Sequence, residues 1–313
     1  MASRNRTLRL SPEEEERYLA RSFCPDSLPQ NPRNLTICGD SFEVLKKLPP
    51  QSIDLCIADP PYNLTKQYGD KVFARCDAEE YRDFTEKWLE LVLPLLKPTA
   101  SLYVCSDWKS SLIIGPLLAD RIHLRSRITW GREKGRGAAS NWKNSMEDIW
   151  FGTVSDSYTF HLDAVKIRRK VLATYRENGK PKDWKESGAE RYRDTCPSNF
   201  WDDITVPFWS MPENTDHPAQ KPEKLIAKLI LASSTEGDLL LDPFMGSGTV
   251  CVTAKKLGRD YIGIEQDPGY CALAEKRLEE AGYSKRIQGL ENGVFLERNA
   301  GAAGRISLDV NRD

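Results

Sequence analysis

Asp59-Pro60-Pro61-Tyr62 packs more chemistry into four residues than any other stretch of this chain. It closes an apolar run, Ile53 to Ala58, that reads as a buried strand. Two consecutive prolines cannot continue a sheet ladder, so the chain must leave the sheet at Asp59 with a stiff backbone. A carboxylate, fixed carbonyl acceptors and an aromatic face then meet at the carboxyl end of a strand, where open α/β sheets bind ligands. Such a cluster can accept hydrogen bonds from an exocyclic amine and stack on the ring that bears it.

A second apolar strand, Leu239 to Leu241, runs into Asp242-Pro243-Phe244-Met245-Gly246-Ser247-Gly248-Thr249. Val250 to Leu257 reads as the following helix, with Gly258 as its stop. Gly246 and Gly248 permit tight turns and close approach of a ligand to the main chain. Tyr261 to Glu265 is a further strand ending in an acid, at a strand–helix–strand spacing from Asp242 that sets Glu265 beside the loop. A carboxylate there can hold ribose hydroxyls. The dinucleotide fingerprint needs a third glycine where Cys251 stands, and the phosphate-cradling loop needs a lysine directly after Gly248. Neither pattern fits, which favours a cofactor without phosphates. S-adenosylmethionine, with a ribose, an adenine and a sulfonium cation, suits acidic residues at both strand ends.

The two motifs and their neighbours resemble the amino-methylating DNA methyltransferases, N6-adenine and N4-cytosine, and within them the β-class order, catalytic motif ahead of cofactor loop. The family's Asp-Pro-Pro-Tyr is matched by Asp59 to Tyr62, and its Phe-x-Gly-x-Gly by Phe244 to Gly248. His217-Pro218-Ala219-Gln220-Lys221-Pro222 is similar to the family segment lining the methionine end of the cofactor. Cys38-Gly39-Asp40-Ser41 is similar to the element that contacts its adenine. The likeness spans about residues 34–282 in one consistent order.

This resemblance implies an α/β fold of the Rossmann-like methyltransferase type. Its sheet is mostly parallel with helices on both faces, its motif order is permuted, and a DNA-recognition region is inserted. It implies catalytic roles for Asp59, Pro60, Pro61 and Tyr62. It implies cofactor contacts from Asp40, Ser41, His217, Gln220, Lys221, Asp242, Phe244, Met245, Gly246, Ser247, Gly248, Thr249 and Glu265. Asp59 and the Pro60 carbonyl would accept the amino hydrogens of an everted base, and Tyr62 would stack on its ring. Asp at the first motif position goes mostly with adenine N6 and Ser mostly with cytosine N4, so adenine is expected, with cytosine N4 as the alternative. An RNA methyltransferase and a non-catalytic DNA-binding subunit are the readings from other classes. Lys221 is either a contact for the cofactor carboxylate or a solvated lysine at a helix start. His217 reads as structural or cofactor-lining, and Glu147 resembles an acidic position near the target-base pocket.

The elements that must carry these residues can be read in outline. Leu35–Cys38, Ile53–Ala58, Ser101–Cys105, Arg125–Trp130 and Met146–Gly152 read as strands. Phe42–Lys47, Glu79–Leu96, Leu112–Asp120, Pro222–Ser233 and Asp267–Gly282 read as helices, and the polar stretch Leu64–Asp77 as a mobile loop. The expected organisation is an N-terminal extension (1–33, flexible or loosely docked), a catalytic half (34–150), a target-recognition region (151–212), a cofactor-binding half (213–288) and a C-terminal tail (289–313).

Net charge is −1, but residues 121–193 carry 17 Lys/Arg against 9 Asp/Glu, interleaved with Trp130, Trp142, Trp150, Tyr158, Tyr175, Trp184 and Tyr192. That pattern suits phosphate neutralisation and base stacking. The candidate DNA contacts are Arg132, Lys134, Arg136, Asn141, Lys143, Arg168 and Arg169. Duplex DNA is the expected partner, and the family resemblance adds a second copy of the chain and a restriction endonuclease reading the same site as candidates. The eight cysteines include no Cys-x-x-Cys, so no metal site is expected. No apolar run approaches a membrane span and no signal-peptide core is seen, which points to a cytoplasmic protein.

Overall fold

The computed structural model describes residues 5–68, 71–132, 140–172, 175–187 and 190–298. The chain runs α1 (Pro12–Leu19), β1 (Leu35–Cys38), α2 (Ser41–Leu45), β2 (Ile53–Ala58), β3 (Lys66–Tyr68), β4 (Lys71–Phe73), α3 (Ala78–Val92), β5 (Leu96–Ser106), α4 (Trp108–Ala119), β6 (His123–Gly131) and β7 (Met146–Thr153). It continues with β8 (Ile167–Lys170), β9 (Arg176–Glu177), β10 (Lys180–Pro181), β11 (Lys185–Ser187), β12 (Glu190–Thr195) and β13 (Phe200–Trp201). Then follow α5 (Glu223–Ser233), β14 (Leu239–Asp242), α6 (Thr249–Lys256), β15 (Asp260–Glu265), α7 (Pro268–Tyr283), β16 (Leu290–Glu291) and β17 (Val294–Leu296).

Eight strands form one sheet in the order β1-β15-β14-β2-β5-β7-β6-β13. The run β1-β15-β14-β2-β5 is parallel throughout, while β7 is antiparallel to both its neighbours. The central strands are apolar on both faces because both faces are covered. Leu55 and Ile57 of β2 face the core built with α5, α6 and α7, whereas Cys56 and Ala58 face the core built with α2, α3 and α4. In α3 the stripe Tyr81, Trp88, Leu89 and Val92 is fully buried, and burying each such side chain contributes about 1.5–3 kcal/mol. From β14 the chain winds outward to β15, and from β2 it winds the other way to β5, so the crevice between β14 and β2 is the switch point of the sheet. Both candidate motifs leave the sheet there.

The expected mobile loop after Tyr62 instead contains a small hairpin, with Lys66–Tyr68 antiparallel to Lys71–Phe73. Each arm has three residues, too few to show a period of two. Residues 5–33, part of the segment read as a flexible or loosely docked extension, pack against the body of the fold. Helix α1, closed by a Ser11–Glu14 capping box, packs along α7. Tyr18 is 2% exposed and donates to Glu279 at 2.5 Å, and Lys276 pairs with Glu14 at 2.8 Å. Ahead of it, Arg6 and Leu8 donate main-chain hydrogen bonds to Trp209 and Asn214. These partners lie about 200 residues away in sequence, so no local pattern announces them.

Within the expected tail, residues 290–298 form ordered structure. Strands β16 and β17 are joined through Asn292 and Gly293 at φ 48° and 74°, the left-handed pair a tight hairpin requires. The asparagine–glycine pair was a signal available in the sequence. Strand β17 extends the sheet β11-β12-β8-β17-β16, and Phe295 is fully buried beneath it. This second sheet carries much of the basic segment. It is tied to the main body through α5, where Ala227 and Ala232 pack with Ile167 and Phe295 and the Lys224 ammonium donates to the Leu296 carbonyl. No helix among the described residues is long and apolar enough to cross a membrane.

Candidate active site

Strands β2 and β14 are neighbours in register, Leu241 opposite Cys56, so Asp59 and Asp242 emerge at the same edge of the sheet. The crevice above them is a cavity of about 460 Å³. The proline corner forms its floor on one side. The Pro61 carbonyl accepts from the Tyr81 hydroxyl at 3.0 Å, which holds the turn from behind. The Tyr62 hydroxyl donates toward Asp59 Oδ1 at 3.0 Å and Glu147 Oε2 at 3.1 Å, fixing the ring. Lys221 Nζ lies 2.5 Å from Asp59 Oδ2 and 3.4 Å from Glu147 Oε2. Arg132 closes on the other oxygen of Glu147. The result is a buried cluster of two carboxylates, two cations and a phenol. Burial and the adjoining Asp59 and Glu147 carboxylates push the Tyr62 hydroxyl well above its ordinary value, so it stays protonated and donates. Burial works against ionisation of Glu147, but Lys221 and Arg132 more than offset it and hold the carboxyl below its usual range.

The other wall is the glycine loop. Gly246 N and Asp267 N donate to the two oxygens of Glu265 at 2.8 and 2.9 Å, which aims that carboxylate at the cavity. Burial raises the Glu265 and Asp242 carboxyls above their ordinary values. Gly248 sits at φ 79°, and a Cβ there would come within 2.7 Å of the Ala274 Cβ, so only glycine lets the loop lie against α7. Behind the loop, Arg277 donates to the Ser247 carbonyl at 2.7 Å and the Thr249 hydroxyl at 3.1 Å. Phe244 meets Phe84 and Trp88 at ring separations of 6.4 and 5.7 Å, while Phe84 meets Phe42 and Phe73 at 5.7 and 5.8 Å. This aromatic end of the cavity was not anticipated from the sequence, where Phe84 falls only within the expected helix Glu79–Leu96.

Most expected site residues gather here. Asp59 to Tyr62, Asp40, Ser41, His217, Gln220, Lys221, Asp242, Phe244 to Ser247, Thr249 and Glu265 all line the cavity. Their detailed duties differ in places. Asp40 caps α2 by accepting from Phe42 N, and the Ser41 hydroxyl donates to the Pro243 carbonyl, so this pair fastens α2 to the loop. The Gln220 amide is spent on Thr215 and the Glu213 carbonyl, closing the preceding loop. His217 Nδ1 accepts from Ala219 N, and burial drops the ring to about 3, so it is neutral near pH 7. Lys221, read as a cofactor contact or a solvated lysine, is 7% exposed and sits between the two carboxylates.

Among the expected DNA contacts, Arg132 pairs with Glu147 and lines the cavity. Arg168 is held through two nitrogens by Asp194 at 2.8 and 2.9 Å and lies over Tyr192, so it braces the second sheet rather than reaching outward. Its alternation within β8 puts Arg169 on the opposite side, half-exposed beside Glu297. Asn141 and Lys143 are exposed, whereas Lys134 and Arg136 lie outside the described residues.

Glu213 caps α5 from ten residues upstream, accepting from Glu223 N at 2.7 Å where Pro222 offers no side chain. Burial, followed by the Glu223 carboxylate, lifts it from an ordinary value of 4.5 to about 7. A raised carboxyl binds its proton more tightly folded than unfolded. Its contribution is therefore fully present below pH 4.5 and is lost as pH rises through 7. Glu213→Gln should accordingly lose less melting temperature between pH 5 and pH 7.5 than the wild type does. Parallel slopes for the two proteins in scanning calorimetry would remove this role.

Residues 53–276 match the N6/N4 methyltransferase family described as DNA methylase. Among curated relatives, the type II methyltransferase M.HpaI of Haemophilus parainfluenzae is 35% identical over 78% of this chain and 73% of its own length. The DNA adenine methyltransferase YhdJ of Escherichia coli K12 is 32% identical over 84% of this chain and 88% of its own length. Among solved structures, the PvuII cytosine-N4-specific DNA methyltransferase superposes with a TM-score of 0.58 at 19% identity, covering 85% of this chain and 95% of that one. The M1.HpyAVI complex with S-adenosylmethionine gives a TM-score of 0.54 at 22% identity, covering 78% and 98%. At such identities the two structures speak for the fold.

Proposed function

The chain belongs to the N6/N4 family of DNA methylases, and from that membership we propose that it transfers a methyl group from S-adenosylmethionine to the N6 amine of adenine in duplex DNA. The observation that carries this reading is the sharing of one cavity by the Asp59–Tyr62 corner and the glycine loop. An amine acceptor site and a cofactor site that open on the same crevice allow direct transfer.

The cavity fits the cofactor. Its aromatic end, Phe42, Phe84 and Phe244, offers an apolar slot for an adenine ring, and the Glu265 carboxylate, held by two main-chain donors, suits ribose hydroxyls. The carboxyl oxygens of Asp59 and Asp242, which both line the crevice, suit the sulfonium end of the cofactor. When bound, S-adenosylmethionine provides an electrophilic methyl group on positively charged sulfur. Adenine N6 is a poor nucleophile because its lone pair is delocalised into the ring. Asp59 accepts an amino hydrogen, which draws the nitrogen toward tetrahedral geometry, and its charge stabilises the positive charge that develops there. The nitrogen would gain the methyl carbon as the carbon–sulfur bond breaks with its electron pair left on sulfur, a neutral thioether. It would then give up one proton to solvent, leaving a neutral secondary amine. Everting the base costs a few kcal/mol. Stacking on Tyr62 returns about 1–3 kcal/mol.

The exposed Asn141 and Lys143, with the half-exposed Arg169 on the second sheet, are the DNA contacts proposed from their position at the surface. The relatives named as type II methyltransferases support a cognate restriction endonuclease as a further partner. A homodimer rests on the family resemblance, and a monomeric mass by light scattering would remove it. Incubating the protein with duplex DNA and methyl-labelled cofactor, then digesting to nucleosides, tests the main reading. N6-methyladenine is expected. Label on cytosine N4, on RNA alone or on neither overturns it.

A further inference from the structure

We propose that Lys221 is a positioning residue for methyl transfer, a buried bridging cation that holds the Asp59 and Glu147 carboxylates as one ionised unit aimed at the target amine. The inference deepens the reading above and rests on it. Three elements converge on this ammonium. Asp59 leaves β2, Glu147 stands on β7, and Lys221 precedes Pro222, which biases its own backbone toward the extended form ahead of α5. Nζ is 2.5 Å from Asp59 Oδ2, 3.4 Å from Glu147 Oε2 and 5.2 Å from the centroid of the Tyr62 ring. The Tyr62 hydroxyl bridges the same two carboxylates from the other side. The Lys221 and Glu147 side chains are 8% and 6% exposed, so solvent does little to screen them.

Two carboxylates this close in a poorly hydrated pocket tend to share one proton instead of both ionising. A protonated Asp59 would be a donor on one oxygen, the wrong polarity to receive an amino hydrogen. One ammonium between them removes that conflict. Burial disfavours the charge on Lys221, but Asp59 and Glu147 overcome it and raise the ammonium above its ordinary value. The remaining groups facing the cluster are Arg132 after β6, Lys66 after the proline corner, the Cys105 thiol of β5, Asp242 of β14 and neutral His217. With Asp59 and Glu147 already on the ammonium, a cofactor carboxylate would be a third anion on one cation. That separates this assignment from a cofactor-holding one.

The test measures single-turnover transfer to duplex DNA across pH 5–9, alongside cofactor affinity by calorimetry, for wild type and variants. Lys221→Met should slow transfer about 100-fold and move the acid limb of the pH profile upward by about 1–2 units. Its cofactor affinity should stay within about twofold of wild type. Adding Glu147→Gln to Lys221→Met should return the acid limb most of the way, because Asp59 no longer competes with a second carboxylate. Lys221→Arg, which keeps the charge, should keep the wild-type limb at a reduced rate, and it carries the test if the methionine variant does not fold. A wild-type rate and profile for Lys221→Met, or for Lys221→Arg an upward-shifted limb, overturns the inference. So does an unmoved limb with cofactor affinity lost in proportion to rate, which would make Lys221 a cofactor contact. Wild-type protein that methylates no DNA sinks the underlying reading instead.

Discussion

Asp59→Ala is expected to slow a single turnover of methyl transfer by about 10²–10³-fold, with cofactor and DNA affinity nearly unchanged. The size follows from what the carboxylate does: a fixed acceptor pointing at developing positive charge in a water-poor site is typically worth that much. The fold should tolerate the loss. Asp59 sits on a turn whose path is set by two prolines and by the Tyr81 hydroxyl on the Pro61 carbonyl, none of which the substitution touches. Lys221 keeps Glu147 as a counter-ion, so no cation is left buried alone. Asp59→Asn, which retains one acceptor oxygen but no charge, should fall between, since a hydrogen bond to a charged group is worth about twice a neutral one. Rapid-quench measurement with labelled cofactor gives the rate, and a gel-shift titration gives DNA binding. Transfer at the wild-type rate would remove Asp59 from the chemistry, whereas simultaneous loss of melting temperature and DNA binding would make its role structural.

The two motifs could be found in the sequence because each imposes its own local geometry. Consecutive prolines end a strand wherever they occur, and a loop with Gly248 in the left-handed region declares itself by composition. Strands buried on both faces, such as β2 and β14, are apolar throughout and bounded by turn formers, so the frame of the sheet was readable too. What stayed hidden depends on partners far apart in the chain. Arg6 and Leu8 dock on residues 209–214, Phe295 plugs the second sheet, and Lys221 reaches back to a carboxylate 162 positions earlier. A lysine beside prolines looks the same in sequence whether it is solvated or bridges two acids. Composition also misled about Arg168: a basic run counts charges, but alternation along β8 turned this guanidinium onto Asp194.

Arg277 shows the same point with the largest consequence for stability. It lies inside α7, where helical periodicity gives no reason to single it out. Yet its side chain is 4% exposed and its guanidinium joins three elements. One nitrogen serves the Ser247 carbonyl and the Thr249 hydroxyl, and another lies 3.2 Å from Glu223 at the start of α5. Arg277→Met should cost about 3–5 kcal/mol, the usual result of breaking a buried pair and leaving one partner charged. Lys256 at 2.7 Å still compensates Glu223 in part, which favours the lower end of that range. In melting temperature this corresponds to a fall on the order of 10 °C. Because the glycine loop loses the donor behind Ser247, cofactor affinity should drop by about tenfold, or 1.4 kcal/mol. Saturating cofactor should therefore restore part of the lost melting temperature. Arg277→Lys keeps the charge but not the forked donation, and belongs between the two. A methionine variant that melts with the wild type and binds cofactor equally well would mean that the loop holds its shape without this brace, and that the curvature imposed by Gly246 and Gly248 suffices by itself.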